Sequence, residues 1–156
     1  EIGKYEVSEG EWSHSEALYD HKAFLFDKSK ELLVIPMSYN KEINLPGQSW
    51  PNYEYWQGAY VFTVNLDDGI KLRGKVVHEL SNTKRDYYYG GADYIRRSLY
   101  MDDVLYTISN SIVKASDLND LTEVKSVELP FEEIVYYGVG VAETSVSTDG
   151  SVGVSV

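Results

Sequence analysis

Polar and apolar positions alternate with a period of two along most of this chain, which is the spacing of half-buried β-strands. Residues 22–26 (KAFLF) form one such segment. A polar stretch over 27–31 turns the chain back into the apolar run 32–37 (LLVIPM), short enough for a buried strand. Residues 59–64 and 70–79 flank Asp67, Asp68 and Gly69, where glycine supplies the positive φ that a tight hairpin needs. The scheme then returns. Segments 95–101, 104–109, 112–116 and 123–129 alternate in the same way. Asp102-Asp103, Asn110-Ser111 and 117–121 mark the turns between them, and Pro130, which lacks a ladder N–H, ends the last strand.

Residues 22–79 and 95–129 therefore each hold four strands joined by turns. A repeated four-stranded meander is the unit of a β-propeller. The expected fold is all-β: two four-stranded antiparallel propeller-like blades plus flanking strands, an incomplete propeller within this chain. The first set carries an insertion over 38–58, an irregular stretch over 80–94 links the two sets, and residues 1–7 read as one strand of an earlier unit. Only 16–19 can form a helical turn. The division expected is a partial propeller over 1–130 and a Val/Gly/Ser-rich β tail over 131–156. In that tail, 143–147 and 152–156 form an edge hairpin placed to cover an open sheet edge.

Composition narrows the partners. The net charge of −11 argues against nucleic acid and against an anionic membrane surface. No cysteine is present, which excludes disulfides and thiolate metal sites. No apolar run reaches the roughly 18 residues of a membrane span. The 14 tyrosines favour strands. The start, Glu1-Ile2-Gly3-Lys4, has neither an initiator Met nor a signal peptide and reads as that of a trimmed or processed chain.

Several stretches carry a family likeness: 14–26 (HSEALYDHKAFLF), 33–36 (LVIP), 56–62 (WQGAYVF), 96–100 (RRSLY), 104–109 (VLYTIS), 113–115 (VKA) and Leu129-Pro130. Together, over about residues 1–130, they resemble the C-terminal part of secreted prokaryotic proteins with a C-terminal β-propeller domain, distantly WD40-like. The resemblance implies a propeller fold and export, with secreted or cell-surface localisation, and it implies no reaction.

Candidate chemistry is sparse. The densest aromatic cluster, Trp50, Tyr53, Tyr55 and Trp56, lies in the insertion, where it can stack on sugars, anchor a protein partner or cover the blade's own edge. Tyr87-Tyr88-Tyr89 has the same ambiguity. Acidic turns offer calcium oxygens at Asp117, Asn119 and Asp120, and also at Asp67-Asp68 and Asp102-Asp103, though none matches an EF-hand loop, a solvated turn explains them better and no cofactor is expected. His21 after Asp20 reads as a structural hydrogen bond across a blade, and one of Arg96 and Arg97 as a pairing group at the blade interface. No nucleophile stands near a base in recognisable context, so no catalytic residue is expected.

The function expected is an extracellular, non-catalytic, propeller-derived binding or assembly module. Its partner would be a protein, the remainder of the propeller, or a second copy reached through edge strands. Two alternatives stand beside it: a structural subunit of an extracellular fibre or layer joined by strand exchange, and the non-catalytic portion of an exported polysaccharide-acting enzyme.

Overall fold

A computed structural model describes residues 3–7, 12–44, 46–47, 51–78 and 91–130, together with the backbone of 144–146 and 152–154. Eleven strands appear among them: β1 (Trp12–His14), β2 (Leu25–Asp27), β3 (Leu32–Ile43), β4 (Asn52–Asn65), β5 (Gly69–Val76), β6 (Arg97–Met101), β7 (Val104–Ile108), β8 (Ile112–Asp117), β9 (Glu123–Glu128), β10 (Thr144–Val146) and β11 (Val152–Val154). All recorded pairings are antiparallel. Among the described residues no helix is long and apolar enough to cross a membrane.

The turns form for local reasons. Between β2 and β3, Asp27 Oδ1 accepts from the backbone of Ser29 at 2.7 Å and of Lys30 at 3.0 Å. Asn65 Oδ1 accepts from Asp68 N before β5, and Gly69 takes φ 74°, as its turn position requires. Asp102 does the same between β6 and β7 with φ 53°.

The second sheet is the expected four-stranded meander, ordered β6-β7-β8-β9. The first departs from expectation. Residues 38–58 are not an irregular insertion, because β3 and β4 run on as one long hairpin from Leu32↔Thr63 to Ile43↔Asn52. The first strand of the set is also displaced. Asp20 accepts from Lys22 N at 2.9 Å and starts a 3₁₀ turn over His21–Ala23, so strand structure begins only at Leu25. A second short strand, β1, pairs with β3 farther along the same edge, making this sheet five-stranded. The gap between β1 and β2 faces Pro36, where β3 has no N–H to offer, and Ser15 Oγ donates to the Pro36 carbonyl at 2.6 Å.

The two sheets pack face to face. Leu32 and Val34 of β3, Ala59 and Val61 of β4, and Val76 of β5 meet Leu105 of β7, Leu118 and Ile95 in one buried cluster. Polar ties surround it. Tyr100 donates to Asp27 Oδ2 at 2.6 Å, Lys114 to the Val77 carbonyl at 2.8 Å, and Arg73 to the Leu118 carbonyl at 3.0 Å. The far face of the first sheet holds Met37, Tyr60 and Phe62. Residues 3–7, expected as a strand, have no strand pairing. They lie over that far face, with Tyr5 edge-on to Phe62 at 5.0 Å and Val7 against the cluster.

In the tail, β10 pairs with β11, Thr144↔Val154 to Val146↔Val152. β10 and β11 make a two-stranded sheet of their own among the described residues.

Candidate functional site

Two surfaces remain open once the core is built. The first is a cleft created by unequal strand lengths. β3 and β4 span 12 and 14 residues, whereas the strands of the second sheet span 5 or 6. The end of the long hairpin therefore overhangs the second sheet, and its inward face meets no core there. The resulting cavity, about 530 Å³, is walled by Trp12 and His14 of β1, Glu16 and Tyr19 of the following turn, Tyr55 and Gln57 of β4, and Tyr94 to Arg96 before β6.

Its rings form two stacks. Trp12 lies parallel to His14 at 5.6 Å between centroids, and His14 stacks on Tyr19 at 5.4 Å. Opposite them Tyr55 stacks on Tyr94 at 5.8 Å. Gln57 fixes the far wall, donating to the Ile95 carbonyl and accepting from Ile95 N, each at 3.0 Å. Arg96 pairs with Glu16 at 3.4 Å, and Arg97 pairs with Asp20. Both arginines thus bridge the sheets, where one was expected to.

Strand alternation divides the aromatic cluster expected in the insertion. Tyr55 enters the cleft, while Tyr53, two residues away in the strand, is exposed. Trp56 points to the other face of the sheet, stacked on Tyr39 at 5.1 Å, edge-on to Tyr60, with Lys75 Nζ 5.1 Å from its ring centre. Trp50 and Tyr87 to Tyr89 lie outside the described residues.

The other expected chemistry is placed differently. His21 is exposed and makes no cross-blade hydrogen bond among the described residues; that link comes from Asp20 instead, because the turn it caps holds its carboxylate toward Arg97. Backbone and side-chain donors around Asp20 hold its carboxyl below the usual range. In the acidic turn, Asp117 Oδ1 accepts from Asn119 N and Nδ2, and Asp120 Oδ1 accepts from Thr122 N and Oγ1. No group of three or more His, Cys, Asp or Glu side chains gathers among the described residues.

The buried histidine is one that sequence reasoning passed over. His78 is 3% exposed, its Nε2 lies 2.8 Å from Thr107 Oγ1, and burial, helped by nearby Lys114, pushes its pKa down to about 4. Trp12, Tyr19, Tyr94 and Glu16 were likewise missed as cleft residues. The one local signal was Trp12-Ser13-His14, whose spacing puts two rings on one face of a strand.

The second open surface is the outer face of the second sheet. The register aligns Leu99 with Tyr106 and Ala115, and Ile108 with Val113 and Val127, on the side turned from the core. Leu99, Met101 and Val127 are 41%, 55% and 50% exposed. The same register ends the first row on Lys125 and the second on Arg97.

Comparison with curated proteins and with solved structures gives no match. The family model described as a β-propeller domain matches residues 1–121, taking in the first sheet, the cleft and most of the second sheet, and the chain belongs to that family.

Proposed function

We propose that this chain is a non-catalytic binding and assembly module of the cell exterior, secreted or held at the cell surface, which works by docking further blade-like sheets. The observation that carries the reading is the outer face of the second sheet. The two sheets already meet through one such face-to-face contact, and the apolar rows around Leu99 and Val127 offer a second of the same kind. A blade stack of two leaves the contact unrepeated, so another sheet completes it. The absence of catalysis is supported by how the polar groups are used. Asp20, Asp27 and Glu16 bind between the sheets, and His78 is buried against Thr107. The external setting rests on the resemblance of the motifs over 14–36 and 96–115 to exported prokaryotic proteins.

In the chain by itself the partner sheet is that of a second copy. Sedimentation equilibrium of the chain and of the double variant Leu99→Glu, Val127→Glu tests this. Both positions are exposed, so the variant folds. The native chain is expected to associate as concentration rises and the variant to remain monomeric. A native chain that stays monomeric up to submillimolar concentration contradicts the reading.

A further inference from the structure

The cleft beneath the β3–β4 overhang has the size of a small-ligand site and the matching make-up, mostly ring and aliphatic walls with few polar groups. Its floor is Pro36 and Ile95. At one wall the ring stack ends on Tyr19, which is 81% exposed and presents a flat apolar surface.

The polar groups narrow the ligand. Arg96 gives Nη1 to Glu16 Oε1, and its side chain remains 40% exposed beside the rings. Glu16 Oε2 makes no hydrogen bond among the described residues. The exposed part of the pair offers guanidinium N–H donors beside a carboxylate oxygen. The cleft therefore asks for one acceptor and one donor beside a flat apolar surface. Its own charges cancel, one carboxylate against one guanidinium. An anion would meet a chain of net charge −11. A purely apolar ligand would strip water from the Arg96–Glu16 pair and give nothing in return.

We infer that the cleft binds a neutral pyranose unit of a glycan. The sugar's C–H face lies on the rings, and adjacent hydroxyls, each both donor and acceptor, accept from the exposed guanidinium of Arg96 and donate to Glu16 Oε2. This site is independent of the sheet-docking face, which lies on the opposite side of the second sheet.

The test is titration of the full chain with cellohexaose, chitohexaose and mannohexaose, followed by calorimetry and tryptophan fluorescence. Trp56 is on the other face of its sheet, so a fluorescence change that disappears in Trp12→Phe reports the cleft. At least one oligosaccharide is expected to bind saturably. Tyr19→Ala, at an exposed position, is expected to weaken binding by roughly tenfold or more with an unchanged far-UV spectrum, and Arg96→Gln to weaken it similarly. The inference is overturned if none of the three binds saturably, if Tyr19→Ala binds as the native chain does, or if only a tyrosine- or lysine-rich control peptide binds.

Discussion

His78 is where a single residue most clearly reports how the two sheets fit. Its ring is enclosed between the end of the first sheet and Thr107 in the second, and Lys114 nearby further disfavours a second positive charge. The folded-state pKa of about 4 lies below the ordinary value of 6.5, so between these values the unfolded chain binds more protons than the folded one. Stability from this residue is full above about pH 6.5 and is lost as pH falls toward 4, by up to about 3 kcal/mol. Urea midpoints at pH 7 and pH 4.5 are expected to fall farther for the native protein than for His78→Gln. An equal fall in both would show that the carboxylates alone govern acid sensitivity. Those carboxylates act lower on the scale. Hydrogen bonds from Ser29 and Tyr100 hold the Asp27 carboxyl far below the usual range, and Ser126 and Lys114 lower that of Glu123, so their contributions fail only as pH falls below about 4.

The strands show which features a sequence records and which it does not. Period-two alternation located the strands of the second sheet to within two residues; β7 shows it most clearly, with Leu105 and Thr107 buried between half-buried neighbours, whereas β9 is exposed throughout. It failed over 38–43 and 52–58. There the overhang has no opposing sheet, so neither face is purely apolar, and SYNKEI and NYEYWQ read as a loop. β1 escaped notice because three residues on an edge carry too short a pattern. The Asp20 cap won over the strand signal at 22–24 because its side chain bonds locally to the backbone. The cleft was hidden for another reason. It joins side chains near residues 12–19, 55–57 and 94–96, and nothing local writes their proximity. Close strand contact also gives a direct check on the long hairpin. A Cβ at Gly58 would lie 2.6 Å from the Val76 carbonyl oxygen and 2.7 Å from the Trp56 ring. Backbone cannot yield cheaply there, so Gly58→Ala is expected to cost about 1–3 kcal/mol in chemical denaturation. A variant as stable as the native protein would show that β4 and β5 do not approach as described.

At the scale of the molecule, two sheets share one core and leave two unlike outer faces. That of the first sheet is covered by Tyr5 and Val7, and that of the second is open. With the first face covered, docking of two copies through the second face is isologous, the same patch on both. The exposed outer edge, β9, is a poor route to association by comparison. Glu123, Lys125 and Glu128 place charge along it, which is how sheets blunt their edges. Docking by faces rather than by edges is thus the central claim, and the two methionines measure it. Met101 sits on the open face, 55% exposed, and Met37 faces the other way on the first sheet, 9% exposed. Peroxide oxidation followed by mass spectrometry, run from dilute to concentrated protein, reads both at once. The account predicts rapid oxidation of Met101 in dilute solution, marked protection of Met101 as concentration rises, and slow oxidation of Met37 throughout. Oxidation of Met101 at one rate across the whole range would contradict it.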